Sequence, residues 1–365
     1  MRRIALLAAI AAILAGCQST GGTVGKSRSD LYDGGRSVLY QVQKEVSSPE
    51  QAMRIAAAAY SAGDSDQALY QYLRASELDP KRLDALVWVG RIHRERGNYP
   101  LAEQALREVL KTEPGSLAAL SELGTLQIAM RRYPEAAQTL GEALRADQQR
   151  LVGAGAAVSL ADPAALRVDG KSPLRLYNDL GVLADLGNDF ARAQAYYRLA
   201  LQIEPRSALV ANSLGYSRYL SGDWPAAREA YRQALAFDAG YKPAWRNYGM
   251  LLARMGNYEE ALSAFEQVES RAEASNDVGY VCLIEGSLDQ AELFFRSAID
   301  QSPSHYEVAW QNLRRVEQIR RIRSSDVGGE ATSRSGGSVT PLAVPSAAPL
   351  AVSSPLVSRG TLPAH

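Results

Sequence analysis

The sequence predicts an all-α fold, a stack of helical hairpins, and three observations predict it. The first is a 34-residue period: Val89-Gly90 and Leu123-Gly124 stand one step apart, as do Leu180-Gly181, Leu214-Gly215 and Tyr248-Gly249. The second is a pair of side chains at fixed distances beyond each glycine. Twelve residues on comes a small side chain (Ala102, Ala136, Ala193, Ala227, Ala261), and four further on a bulky one (Leu106, Leu140, Tyr197, Tyr231, Phe265). The third is punctuation. Turns such as Gly97-Asn98-Tyr99-Pro100, Gly222-Asp223-Trp224-Pro225 and Gly256-Asn257-Tyr258 divide the unit, and Pro80, Pro114, Pro205 and Pro303 stand at or near unit ends. Each class of residue has a physical task. Small residues let two helices approach, and bulky ones fill the groove beside them. Glycine accepts the left-handed conformation that ends a helix, Asn or Asp caps the next, and proline in its first turn costs no hydrogen bond. One hairpin leaves its apolar face uncovered, so neighbours must stack.

At the N-terminus, Met1-Arg2-Arg3 precedes an apolar run from Ile4 to Ala15. As a helix that run covers only about 18 Å of a bilayer core of roughly 30 Å, so residues 1–16 read as a signal peptide. Leu14-Ala15-Gly16-Cys17 resembles the bacterial lipobox. The resemblance implies cleavage before Cys17, acylation of its thiol and its new amine, and membrane attachment by fatty chains. Gln18 rather than Asp comes next, which in Gram-negative lipoproteins implies the outer membrane, with the body facing the periplasm. Residues 17–48 are expected as the lipidated cysteine and a tether. Cys282, within an apolar helix, reads as a small core residue.

The phase places units near 49, 83, 117, 174, 208, 242 and 272. The first is divergent, with Ala56 where glycine is expected but Ala68 and Tyr72 in place. The last restarts 30 residues after its predecessor, which implies a helix shorter by about a turn. Residues 49–148 thus hold three units and 174–305 hold four. The aperiodic stretch 149–173 (Gly153, Gly155, Asp162-Pro163, Asp169-Gly170) is expected as an inserted hinge between them. Residues 306–323, with Val308, Leu313, Val316 and Ile319 at helical spacing, predict a capping helix. Its arginines, Arg314, Arg315, Arg320, Arg321 and Arg323, suit a helix C-terminus. The stretch 324–365, rich in Ser, Gly, Pro, Ala and Val, is expected to be disordered.

The recurring pattern is similar to the tetratricopeptide repeat over most of 49–305. That resemblance implies a right-handed solenoid of about seven helix-turn-helix repeats, with a peptide-binding groove lined by the first helices at the second, fifth, ninth and twelfth positions of each unit. Those positions hold Arg175, Asn178, Asn212, Tyr216, Tyr219, Arg246, Asn276 and Tyr280. An Asn amide donates and accepts at once, so a column of them suits an extended backbone, while aromatic and Arg side chains are what binding hot spots favour. In the first three units the same face carries Asp84, Arg91 and Arg94, without a clear theme.

Composition excludes other classes. With 40 basic residues against 40 acidic, the chain lacks the basic excess a nucleic-acid binder needs. Three His and 2 Cys cannot furnish a zinc ribbon, an iron–sulfur cluster or a disulfide scaffold. His93, His305 and His365 are scattered, and no nucleophile elbow, metalloprotease pair or dinucleotide-binding glycine pattern occurs. The expectation is a non-enzyme without metal, cofactor or small-molecule substrate. A narrower resemblance rests on the lipobox, the repeats, Gly279-Tyr280-Val281 to Gly286, Ala291 to Phe295, Ser302-Pro303-Ser304-His305-Tyr306-Glu307 and Ala309-Trp310-Gln311-Asn312-Leu313. Over about 174–318 these look like the TadD-type lipoproteins of tight-adherence (Flp) pilus systems. That likeness implies a pilotin-like partner of an outer-membrane secretin. The alternative is a lipoprotein adaptor for peptidoglycan-remodelling enzymes or another envelope complex.

Overall fold

The computed structural model describes residues 46–153, 159–302 and 304–329. The signal peptide, Cys17, most of the 17–48 tether, residues 154–158 of the insertion, Pro303 and the tail from 330 lie outside the described residues. Fifteen α-helices and one 3-10 turn, Pro163–Ala165, make up the described fold, with no strand among the described residues. They are α1 (Pro49–Ser61), α2 (Ser65–Leu78), α3 (Leu83–Glu95), α4 (Tyr99–Thr112), α5 (Leu117–Ala129), α6 (Tyr133–Val152), α7 (Leu174–Leu186) and α8 (Phe190–Ile203). They continue with α9 (Ala208–Leu220), α10 (Trp224–Phe237), α11 (Lys242–Arg254), α12 (Tyr258–Phe265), α13 (Arg271–Ile284), α14 (Leu288–Gln301) and α15 (Glu307–Gly329). The odd-numbered helices α1 to α13 begin where the period places the seven units, the last one residue early.

The turns obey backbone sterics rather than residue identity alone. Gly97 and Gly222 adopt φ of 78° and 83° after the first helices of their units. Arg131 and Asn188, at the same phase, take φ of 59° without being glycine. Asp64, Asp189 and Asp223 cap the helices that come after them, each side chain accepting a backbone N–H from Gln67, Arg192 and Ala226. Asn98 and Asn257 make no such cap bond, so the capping expected of both residue types is done by aspartate. Within a hairpin the small positions are closely filled: a Cβ on Gly181 would stand 2.5 Å from the Tyr197 ring.

The described residues form two compact units, parting within α3 between Ile92 and His93. In the first, Ala56, Ala68 and Tyr72 are buried as the divergent first repeat requires. Tyr72 stacks on Trp88 with ring centroids 5.4 Å apart, and Tyr60 meets Trp88 edge-on at 5.1 Å.

In the second unit the expected hinge at 149–173 is crossed by one apolar core. Leu120, Leu140 and Leu144 before the insertion pack with Leu176, Tyr177 and Tyr197 after it, and the insertion itself adds Leu166. α6 absorbs the start of the insertion by running to Val152, 20 residues in all. Arg167 and Asp169 are bonded back to α6. Arg150 Nη2 lies 2.7 Å from both Asp147 Oδ1 and Asp169 Oδ1. The Tyr177 hydroxyl donates to Asp147 Oδ2 at 2.7 Å and accepts from Gln148 Nε2 at 2.8 Å. Gln148 Nε2 also donates to the Arg167 carbonyl at 2.6 Å.

Two further elements differ from expectation. α12 has 8 residues against 14 in α10, a larger loss than one turn, because residues 266–268 continue as a turn before Ser270 opens α13 with a capping box. α15 runs to Gly329, past the boundary expected at 323. Its Ala309, Leu313 and Val316 are buried, the last two in a core with Phe295 and Val278. The cap arginines are in part engaged: Arg314 with Glu307, Arg321 with Glu317, and Arg320 with Asp289 and Glu292.

Candidate protein-binding face

First helices of successive repeats lie side by side in the second unit, α5 against α7, then α9, α11, α13 and finally α15. Their shared face is built on polar bonds between repeats. Asn247 Nδ2 of α11 donates to Asn212 Oδ1 of α9 at 2.9 Å, and Asn312 Nδ2 of α15 donates to Asn276 Oδ1 of α13 at 3.0 Å. Asn178 Nδ2 donates to its neighbour Asp179 at 3.2 Å, while Thr125 of α5 donates to the other oxygen of that carboxyl. Asn178, Asn212 and Asn276 are buried at 3–6% exposure, each bonded to a residue outside the expected set. The Asn212 and Asn276 amides join one helix to the next, whereas Asn178 bonds within its own helix and its Oδ1 is buried without a partner, which is costly.

The other expected residues differ in exposure. Arg175, Tyr216 and Tyr280 are half-buried, and Arg246 is exposed with its Nε 2.6 Å from Glu269 Oε1. Tyr216 stacks against Tyr219 with centroids 6.0 Å apart, and burial pushes its hydroxyl pKa up to about 12. Tyr219 is buried; Arg254 donates to its hydroxyl at 2.8 Å and reaches Glu285 at 2.6 Å. Tyr216 and Tyr280 are thus half-buried against the apolar cores, and Arg175 and Arg246 stand on the neighbouring first helices.

Sequence reasoning missed the acids of this face. Asp185 occupies the twelfth position of its unit, one period before Tyr219. It is buried, accepting 2.8 Å from the Tyr197 hydroxyl and 2.6 Å from Ser217. Burial pushes its pKa up to about 6, against the pull of those two donors. Burial likewise raises Asp179, opposed by Thr125, Arg175 and Asn178. Asp277 is raised by burial and then by Glu269. The sequence showed the acids; only the partner one repeat away shows that they are buried. Arg94, grouped with the themeless residues, is buried with Glu122 of α5 at 3.4 Å. On the first unit Arg91 sits 4.4 Å from the Trp88 ring centroid, so an aromatic–cation stack occupies the face there.

No group of three or more His, Cys, Asp or Glu able to hold a metal occurs among the described residues, and no described helix is long and apolar enough to cross a membrane. A cleft of about 410 Å³ lies between α11 and α12, floored by Trp245, Tyr248 and Leu252 with Glu259 and Glu260 at its rim.

Models of the tetratricopeptide repeat match residues 53–118, 93–157, 178–242 and 218–278, together more than half of the chain. Solved structures with similar folds include the Cut9–Hcn1 hetero-tetramer of APC/C, at 16% identity and TM-score 0.52, covering 72% of this chain and 48% of that one. A tetratricopeptide repeat protein from Parabacteroides merdae aligns at 14% identity and TM-score 0.45 over 74% of this chain and 98% of its own. A thermophilic protein of the same repeat class from Thermus thermophilus aligns at 19% identity and TM-score 0.45, over 56% and 98%. No curated protein matches the chain.

Proposed function

The chain belongs to the tetratricopeptide-repeat family, and from that premise we propose that it is an envelope assembly scaffold, lipid-anchored to the outer membrane through Cys17 and facing the periplasm. Repeats of this family hold other proteins, and no catalytic family is indicated. The observation that carries the reading is the first-helix face, where half-buried Arg175, Tyr216 and Tyr280 and exposed Arg246 lie on helices already joined by the Asn212–Asn247 and Asn276–Asn312 bonds. A face fixed in advance spares a bound segment part of the ordering cost of association. The lipobox-like Leu14-Ala15-Gly16-Cys17 supports the anchor, and the likeness over 174–318 to TadD-type lipoproteins narrows the role to a pilotin-like factor of a tight-adherence pilus system. In that role the segment bound belongs to the secretin.

The test is a photo-crosslinker at Tyr216 of the full chain in the living envelope; Asn212, buried and paired to Asn247, is a poor position for it. The reading predicts capture of the secretin, and a deletion strain with secretin monomers but neither multimers nor surface pili. Capture of peptidoglycan hydrolases or synthases, with altered cell shape, establishes the adaptor role instead. Capture of lipid alone removes the face as a protein site, and a mature N-terminus without acyl mass removes the anchor.

A further inference from the structure

The 30-residue spacing before the last repeat has a chemical consequence at the face. Because α12 stops at Phe265, the chain turns early and sets Glu269 beside the first helices, where Arg246 of α11 reaches it. The Glu269 side chain is 10% exposed. Its Oε1 faces Arg246 Nε, but its Oε2 is buried without any hydrogen-bond partner. The Asp277 carboxyl of α13 lies against it, hydrogen-bonded to it, and accepts from Asn276 Nδ2 at 3.1 Å. Asn276 is in turn held by Asn312 of α15. Two carboxyl groups therefore meet one guanidinium, and the site is one positive charge short. Two carboxyls that hydrogen-bond to each other in a buried site must share a proton between them or take up a cation in its place.

We infer that Glu269 and Asp277 form the seat for a basic side chain, arginine or lysine, carried by the protein segment that the first-helix face binds; the inference rests on reading that face as a protein-binding surface. A guanidinium fork spans two carboxylate oxygens at once, Glu269 Oε2 and one oxygen of Asp277. Asp277 is half-buried and Glu269 Oε2 is buried, so the fork requires the Asp277 carboxyl to turn aside as it enters. Without a ligand the missing charge is a proton. Burial and the facing Glu269 raise the Asp277 pKa, Arg246 and the Asn276 amide oppose them, and α15 presents the uncharged Asn312 next to Asn276. An arriving cation displaces that proton to solvent, so binding tightens as pH rises through the raised Asp277 pKa.

The experiment titrates the full chain with acetyl-Ala-Ala-Arg-Ala-Ala-amide, the same peptide with glutamine for arginine, and free argininamide. Calorimetry in buffers of different ionisation heat reads affinity and proton release together. The arginine peptide is expected to bind about tenfold more tightly than its glutamine analogue, the order of one charge-assisted hydrogen bond in a half-buried site, and to release a proton. Asp277→Asn imitates the protonated acid, so it keeps the fold while abolishing both the preference and the proton release; Glu269→Gln does the same from the other side. Equal binding of the two peptides, no binding of either, or a preference that survives in Asp277→Asn overturns the inference. Argininamide binding as tightly as the peptide makes the seat a small-cation site and overturns it too. A partner captured at Tyr216 alongside no arginine preference leaves the face standing and this inference alone refuted.

Discussion

At Asp185 burial and hydrogen bonding pull against each other, and burial wins. The Tyr197 and Ser217 hydroxyls favour the carboxylate, yet its pKa rises from 3.8 to about 6. The folded chain then holds a proton that the unfolded chain has lost between those two values. Stability therefore falls as pH rises through that window, by about 2 kcal/mol between about pH 4.5 and about pH 7.5 for this group. Asp185→Asn carries no such dependence, because the amide does not titrate, and it stays bonded, because either hydroxyl can accept from it. Urea midpoints of the two proteins should converge at the acid end and separate toward neutrality, with the wild type losing ground. Parallel curves would mean that the carboxylate is already ionised at about pH 4.5. The same tyrosine closes on Gly181, so the smallest residue of the hairpin also sets where the Asp185 donor stands.

Elements were legible wherever a rule of spacing governs them. The helix starts came from the 34-residue phase, and the buried Ala193, Tyr197, Ala227 and Tyr231 from sterics inside one hairpin. Bonds between repeats were not legible. Asn212 pairs with a residue 35 positions on and Asn276 with one 36 on, a register that depends on how neighbouring helices slide together. Arg131 and Asn188 hide two left-handed turn positions because the backbone accepts them there at a modest cost. The insertion was opaque for the opposite reason: it has no period, and its bonds join residues 19 to 30 apart. One arginine organises it. Arg150→Ala leaves Asp147, fully buried, with only the Tyr177 hydroxyl, and leaves Asp169 with only its local bonds to Lys171 and Ser172. That change should cost about 1–3 kcal/mol and speed amide hydrogen exchange across 159–173. Asp169→Asn breaks only the outer, 40% exposed side of the pair and should cost under about 1 kcal/mol. Equal losses in the two variants would show that the buried Asp147 does not depend on Arg150.

For the whole molecule, a stack of hairpins is as stable as its ends allow, since each repeat lends its apolar face to the next and the last has no neighbour to receive it. α15 closes that end. It lays Leu313 and Val316 into the core formed by Val278, Ala291 and Phe295, while its outer face carries exposed Arg314, Arg315, Gln318 and Arg321. Leucine and valine burial contribute about 1.5–3 kcal/mol each, so α15 supplies about 3–6 kcal/mol of the contact that holds α13 and α14. α13 also carries Asn276, Asp277 and Tyr280 of the proposed binding face, and Asn276 accepts from Asn312 of the cap. Two shortened chains separate the contributions. One ends at Gly329 and keeps α15; the other ends at Tyr306 and lacks it. The second should unfold at lower denaturant and lose hydrogen-exchange protection first in α13 and α14, while α7 to α10 retain theirs. Uniform loss across all repeats would mean that the stack melts as one cooperative body and that the cap stabilises it everywhere. No loss in α13 and α14 would mean that their own hairpin contacts suffice without α15.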